Sequence, residues 1–104
     1  MNYSPDSRVL LVDDDRIFTD VMARGFRRRG FEVLACDSAA AALAACETFH
    51  PSHIVLDLNM PGTSGLVALP GLLEAAPGAS LVVLTGYSSI ATAVAATKAG
   101  AHNY

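Results

Sequence analysis

Four strand-length apolar runs alternate with helical segments, and this alternation limits the fold more than any other feature. The runs cover residues 9–12, 32–35, 54–56 and 81–84. The first, third and fourth are apolar on both faces, which is typical of central strands in a parallel sheet. The second alternates better and is predicted to be an edge strand. Strands that alternate with helices predict an α/β fold, a parallel sheet with helices on both faces.

Helices are predicted between these runs, over residues 16–29, 38–49, 64–76 and 90–99. In the first helix, apolar residues at three-to-four spacing predict one buried stripe, made of Phe18, Val21, Met22, Gly25 and Phe26. Gly30 is expected to end that helix and Ser38 to cap the second. Pro70 lies inside the third helix and is expected to kink it or delay its first regular turn. Residues 101–104 look like the start of a fifth strand.

Composition excludes several classes of protein. The chain has 104 residues, of which 52% are hydrophobic, and this suits one domain with a real core. A net charge of −3 argues against nucleic-acid binding by this segment. Cys36 and Cys46 have no metal or redox spacing, and no apolar run reaches the roughly 20 residues of a membrane span. We expect a cytoplasmic domain over residues 8–104, preceded by a loose leader over residues 1–7.

Acidic residues follow two of the predicted strands. Asp13, Asp14 and Asp15 come after the first, and Asp57 comes after the third. Thr85 ends the fourth. Ligands of open α/β sheets bind outside the carboxyl ends of the strands, so these side chains are expected to converge if the first strand neighbours the third.

Clustered carboxylates repel one another and call for a cation, and Mg²⁺ is the usual one where phosphate is involved. A carboxylate can also be a nucleophile that forms an aspartyl phosphate. Asp57 is therefore a candidate phosphoryl acceptor beside a magnesium site, with Thr85 placed to bond a phosphoryl oxygen. Simpler interpretations remain open for each residue alone. The aspartate run could cap a helix, and Asp57 could be a turn residue.

Four motifs, in order, resemble the receiver domain of two-component response regulators, the CheY-like family. They are LLVDDD at 10–15, VLDLNMPGTSGL at 55–66, VVLTGY at 82–87 and KAGAHNY at 98–104. The stretch LTGYSSIATAVAATKAGA further resembles the redox-responsive RegA/ActR type, whose full-length members carry a Fis-like helix-turn-helix after the receiver. The resemblance implies a flavodoxin-like, doubly wound parallel sheet of strand order 2-1-3-4-5.

The resemblance also implies roles for individual residues. Asp57 matches the site that a histidine kinase phosphorylates. Asp14 matches a direct Mg²⁺ ligand, Asp13 a ligand that acts through water, and Asn59 the residue whose backbone carbonyl binds the metal. Asp57 itself would complete this ligand set.

Two further positions match the switch of the family. Thr85 corresponds to the hydroxyl that moves towards the phosphoryl group, and Tyr104 to the aromatic side chain that swings inward with it. The implied partners are a histidine kinase and an output domain or protein, most simply a DNA-binding domain outside this segment that regulates transcription.

The sequence departs from the family pattern at its end. It stops at Tyr104, before the Lys-Pro pair, so the fifth strand is incomplete, and the fifth helix and the catalytic lysine are missing. Lys98 belongs to the predicted fourth helix and is no substitute. We expect the uncovered edge to favour self-association or marginal stability. Phosphorylation is expected to weaken, while Mg²⁺ binding largely survives.

Three functions compete at this point. The first is a phosphoacceptor receiver, which is not an enzyme beyond self-catalysed phosphotransfer and autodephosphorylation. The second is a receiver-like scaffold that binds partners without phosphorylation. The third is a HAD-type Mg²⁺-dependent phosphohydrolase, which needs an aspartate two residues after the nucleophile, where this chain has Asn59.

Overall fold

The strands and helices alternate as predicted. The computed structural model describes residues 7–58 and 65–84, the latter range with its side chains from residue 67 on. Its elements are β1 (Arg8–Val12), α1 (Arg16–Arg28), β2 (Glu32–Cys36), α2 (Ala39–Phe49), β3 (His53–Asp57), α3 (Gly65–Ala75) and β4 (Ser80–Leu84). The strands form one parallel sheet of order β2-β1-β3-β4. This confirms the α/β fold. The predicted fourth helix and fifth strand lie outside the described residues.

Strand β1 occupies the interior of the sheet and is buried on both faces. Each of its residues from Val9 to Val12 is at most 2% exposed. Successive side chains of a strand point to opposite faces. Leu10 and Val12 accordingly join a core with residues of α2 and α3, whereas Val9 and Leu11 join a second core with Ala23 of α1. Within the described ranges, α2 and α3 therefore cover one face of the sheet and α1 covers the other.

Helix α1 is rotated relative to the stripe that the sequence predicts. Thr19 and Ala23 are buried, and Met22 and Phe26 pack partly against the core. Val21 is 61% exposed and Phe18 is 36% exposed, so these two members of the predicted stripe are wrong. The small side chains of Thr19 and Ala23 lie at the centre of the inner face and let the helix approach the sheet closely. The periodicity of large apolar residues does not predict this face.

Helix α3 includes Pro70, and the kink predicted at this residue stays a prediction. The helix runs from Gly65 to Ala75 with the proline inside it and exposed. An interior proline costs about 3 kcal/mol because it removes one backbone hydrogen bond. Leu69 and Leu72 on the inner face are fully buried, and each contributes about 1.5–3 kcal/mol. Burial of this face offsets the cost of the proline.

Strand β2 is an edge strand of the described sheet, as predicted, and three of its five residues are exposed. The carbonyl of Val33 accepts a hydrogen bond from Arg27 Nη2 of α1 at 3.2 Å. At its start, the N–H of Glu32 donates to the carbonyl of Ser7, the one described residue of the predicted leader, at 3.0 Å. No helix within the described part of the chain is both long and apolar enough to cross a membrane.

Gly30 ends α1 in a conformation that side chains rarely adopt, with φ of 93°. Gly30→Ala is expected to lower the free energy of unfolding by about 1–2 kcal/mol because the new Cβ strains this backbone. Gly78→Ala is the matched control, since neither glycine has an atom within 4 Å of an added Cβ and only Gly30 has a positive φ. Urea unfolding of both variants measures the difference, and equal midpoints would contradict the assignment.

A candidate metal centre at the carboxyl edge of the sheet

The sheet brings the acidic residues of two strands to one edge. β1 pairs with β3 in parallel, with Val12 opposite Leu56. Asp13 and Asp14 follow Val12, and Asp57 is the last residue of β3. The register therefore places the acidic pair and the predicted phosphoacceptor side by side, as the sequence predicted on the condition that these strands are neighbours.

The three carboxyl groups meet closely enough to share one ion. One oxygen each from Asp13, Asp14 and Asp57 lies within 4.8 Å of the others. Asp13 and Asp57 are half-buried, whereas Asp14 is exposed. Carboxylate oxygens are the ligands of hard divalent cations, and a Mg²⁺ site needs only one or two of them with water at the remaining positions. The donor set and its partial exposure fit a hydrated magnesium ion.

Asp13 is fixed from two sides. Its backbone N–H donates to the carbonyl of Cys36 at 3.0 Å, which extends the pairing of β1 with β2 by one residue. Its Oδ1 accepts the backbone N–H of Asp15 at 2.9 Å. Asp15 in turn is the N-cap of α1, and its Oδ1 accepts the N–H of Phe18 at 3.0 Å.

The aspartate run therefore has two roles. The sequence left open whether it caps a helix or builds a cation site. The structure assigns the cap to Asp15 and brings Asp13 and Asp14 together with Asp57.

The electrostatics of the cluster disfavour its charged form. Burial raises the pKa of Asp13 above its ordinary value, and the charges of Asp57 and Asp14 and a side-chain hydrogen bond with Asp57 raise it further. The N–H of Asp15 opposes these effects and lowers the pKa. A metal-free cluster therefore carries repulsion that a divalent cation relieves.

A groove of about 370 Å³ adjoins the cluster. Patterns in the sequence do not predict this groove. It lies between the start of α1, the end of β2 and the start of α2, and its lining includes Asp13, Arg16, Asp20, Cys36 and Asp37. Burial raises the pKa of the Cys36 thiol, so this side chain stays protonated and unreactive at neutral pH. The signal in the sequence was that β2 ends in Cys36-Asp37 at the same edge as the acidic pair.

Several predicted site residues are not among those that the structure describes. Asn59, Thr85, Lys98 and Tyr104 lie outside the described ranges. In the described sheet, Asp57 pairs in register with Leu84 of β4, which directly precedes Thr85 in the sequence. The roles of these residues remain predictions.

Asp13→Asn is expected to stabilise the protein in EDTA at neutral pH. Because the pKa of Asp13 is raised in the folded state, ionisation of Asp13 lowers the free energy of unfolding. This destabilisation is absent below the ordinary pKa of aspartate and fully present above the pKa of Asp13 in the folded state. Asparagine keeps the oxygen that accepts from Asp15 but removes the charge. Thermal unfolding should show a higher midpoint than wild type at pH 7 and a smaller difference near pH 4.

Glu74→Gln, an exposed charge removal on α3, is the control for this experiment. The cluster assignment predicts that its midpoint differs little from that of wild type at either pH. An Asp13→Asn variant no more stable than wild type at pH 7 would contradict the repulsion described above.

Comparison with known proteins identifies the family of the chain. Residues 9–104 match the family model of the response regulator receiver domain. The photosynthetic apparatus regulatory protein RegA of Rhodobacter capsulatus is 42% identical over 99 residues, which are 95% of this chain and 54% of that protein. The acid tolerance regulatory protein ActR of Rhizobium meliloti is 41% identical over 100 residues, 96% of this chain and 52% of ActR. The chain thus spans about half the length of these curated relatives.

Solved structures show the same fold. A response regulator protein from Burkholderia pseudomallei, crystallised with a phosphorylated aspartic acid, a calcium ion and citrate, superposes with a TM-score of 0.91 at 40% identity. The match covers 94% of this chain and 58% of that one. A CheY-like receiver domain from Methanospirillum hungatei gives a TM-score of 0.89 at 30% identity, covering 94% and 78%. The chain therefore belongs to the response regulator receiver domains, the signalling domains of two-component systems.

Proposed function

We propose that this chain is a phosphoacceptor receiver that takes a phosphoryl group from a histidine kinase onto Asp57, with Mg²⁺ bound beside it. One observation carries the proposal: the carboxyl oxygens of Asp13, Asp14 and Asp57 gather within 4.8 Å of one another at the carboxyl edge of the sheet. The structure from Burkholderia pseudomallei supports it, because that response regulator was crystallised with a phosphorylated aspartic acid and a calcium ion.

The transfer needs little chemistry from the protein beyond placement of the nucleophile. An oxygen of Asp57 bonds to phosphorus while the bond from phosphorus to the donor nitrogen of the kinase histidine breaks, and that nitrogen keeps the electron pair. Hydrolysis of the acyl phosphate by water restores Asp57 and releases phosphate. The domain thus promotes phosphotransfer and autodephosphorylation on itself.

The acidic residues serve the metal in this proposal. Asp14 and Asp57 bind Mg²⁺ directly, Asp13 binds through water, and the backbone carbonyl of Asn59 completes the protein ligands. When bound, the ion offsets repulsion between the anionic nucleophile and the anionic phosphoryl group. Burial and the neighbouring charges of Asp57 and Asp14 raise the pKa of Asp13, which supports this assignment because ionisation at this edge is unfavourable without a cation.

The output follows from a local change in charge. Thr85 is the residue after Leu84, which is in register with Asp57, so its hydroxyl is the proposed sensor of the phosphoryl group and Tyr104 the switch aromatic. RegA and ActR are regulatory proteins about twice as long as the matched segment. An output domain for transcription outside this segment is the proposed effector, and with a net charge of −3 the segment itself is not the nucleic-acid binder.

The sequence disfavours one alternative to this proposal, and experiment must distinguish the other. A HAD-type phosphohydrolase needs an acid at position 59, where the chain has asparagine, and the family match favours the receiver. A receiver-like scaffold that is never phosphorylated has the same fold, so only the chemistry of Asp57 distinguishes it.

Mg²⁺ is expected to stabilise the wild-type protein and not the Asp14→Ala variant. Binding to the folded state alone adds about 1.4 kcal/mol at a free metal concentration ten times the dissociation constant. Thermal unfolding with Mg²⁺ or EDTA measures the gain. Asp20→Ala, an exposed aspartate of α1 outside the cluster, should keep it. An equal gain in Asp14→Ala would refute the ligand assignment.

Incubation with acetyl phosphate and Mg²⁺ is expected to add one phosphoryl group to the wild-type protein and none to Asp57→Ala. The small donor replaces the kinase, and acetate leaves in place of the kinase histidine. Intact mass spectrometry measures the product, and Asp20→Asn controls for general loss of an acid. Mg²⁺ binding without phosphorylation would favour the scaffold, whereas equal phosphorylation of Asp57→Ala would place the acceptor elsewhere.

A further inference from the structure

We propose that Asp15 is a positioning residue of the metal centre: by capping α1 it holds its own backbone N–H against the carboxylate of Asp13. The inference rests on the proposed function, because it concerns how Asp13 is kept in place for Mg²⁺. It assigns to the third aspartate of the run a task that is neither metal binding nor capping alone.

The cap fixes the backbone of Asp15. Its Oδ1 accepts the N–H of Phe18 at 3.0 Å, and its carbonyl accepts the N–H of Thr19 at 3.0 Å. With φ of −81° and ψ of 99°, Asp15 is extended while the next residue is already helical. Both bonds leave the N–H of Asp15 outside the helix, facing back along the chain.

That N–H is one hydrogen-bond partner of the Asp13 side chain, beside the hydrogen bond that Asp13 shares with Asp57. It donates to Asp13 Oδ1 at 2.9 Å, while the backbone N–H of Asp13 is tied to the carbonyl of Cys36 in β2. Asp13 is therefore restrained by hydrogen bonds at both its backbone and its side chain. The bond from Asp15 is charge-assisted, a class about twice as strong as a neutral hydrogen bond.

When Asp13 and Asp57 are both ionised they share no proton, and without the bond from Asp15 their repulsion would turn Asp13 away from the site. The carboxyl oxygens of Asp14 and Asp57 lie within 4.8 Å of that of Asp13, and rotation about its Cα–Cβ bond is the simplest way to separate them. The N–H of Asp15 opposes that rotation. Asp13 thus stays at the metal edge before any cation arrives.

The side chain of Asp15 acts through the cap and not through its charge. Its carboxylate is not part of the group of three that converges, and its Oδ1 is used by Phe18. Asparagine and serine keep an oxygen that can cap α1, whereas alanine does not. Replacement of Asp15 by these residues therefore separates the cap from the charge.

The test is the Mg²⁺ affinity of Asp15→Ala, Asp15→Asn and Asp15→Ser beside that of wild type, measured by isothermal titration calorimetry. Asp15→Ala is expected to bind about tenfold more weakly, the size of effect seen when support of a metal ligand is removed. The asparagine and serine variants should stay within about threefold of wild type, because both keep the cap.

Ser38→Ala is the matched control, because Ser38 caps α2 in the same way and its Oγ accepts the N–H of Ala41 at 3.1 Å. Both alanine variants should lose about 1 kcal/mol of stability in urea, but only Asp15→Ala should lose Mg²⁺ affinity. If Asp15→Ala does not fold, Asp15→Gly replaces it, since glycine at an N-cap costs only a few tenths of a kcal/mol.

A second readout needs neither Mg²⁺ nor a change at Asp15. The amide proton of Asp15 should exchange with solvent faster in Asp13→Ala than in wild type, measured by NMR in EDTA. Equal exchange rates would overturn the proposed restraint.

The calorimetric outcomes distinguish the two proposals. Wild-type affinity in Asp15→Ala would overturn the inference and leave the magnesium site intact. Equal losses in the alanine, asparagine and serine variants would overturn it as well, because they would assign the effect to charge. Absence of Mg²⁺ binding by the wild-type protein would overturn the metal site itself, and the inference with it.

Discussion

The parallel register between β1 and β3 is the constraint on which the site depends. Val12 lies opposite Leu56, and both belong to the core beneath α2 and α3. A slip of one residue would exchange the side chains that face this core for those that face α1. Leu10 and Leu11 are both almost fully buried, on opposite faces, so such a slip would disturb two cores at once. Hydrophobic packing along the strands thus sets the distance between carboxylates at their ends.

Packing sets the position of the acids, and a local hydrogen bond from Asp15 orients the side chain of Asp13. The hydrophobic core restrains the backbone up to Val12. It does not restrain the orientation of a carboxylate that lies beyond the end of the strand. The bonds from Asp15 to Asp13 and from Phe18 to Asp15 supply that restraint within a single turn of chain. The first turn of α1 is therefore part of the site, although none of its side chains joins the cluster of three acids among the described residues.

The sequence predicted the features that depend on patterns along the chain. Apolar runs located the strands, Gly30 and Ser38 located helix ends, and the positions of Asp13, Asp14 and Asp57 after strands predicted that they would meet. The sequence did not predict features that depend on contacts between residues distant in the chain. Val21 looked buried on periodicity, but the sheet packs against the smaller Thr19 and Ala23.

The other gaps have the same origin. The groove beside Asp13 is built from three elements that are distant in sequence, and no pattern within one element describes its shape. The sequence correctly predicted that α1 begins at residue 16, but only the hydrogen bond from the N–H of Phe18 shows that Asp15 uses its side chain for the cap. Strand ends therefore located the acids, but contacts between elements were needed to separate the cap from the cluster.

The formal charge at this edge is consistent with the proposed pairing of an acidic cluster with a cation. Three carboxylates give a formal charge of −3, which one bound Mg²⁺ would reduce to −1. Under the proposed function, phosphorylation of Asp57 would replace one carboxylate by a group of about −1.5 to −2, so the edge would again become more negative by up to about one charge. The metal would make the phosphorylated state accessible without removing the charge difference between the two states. This difference in charge would arise beside Leu84, the residue before Thr85. In the proposed function, the hydroxyl of Thr85 responds to it and passes the change to an output domain.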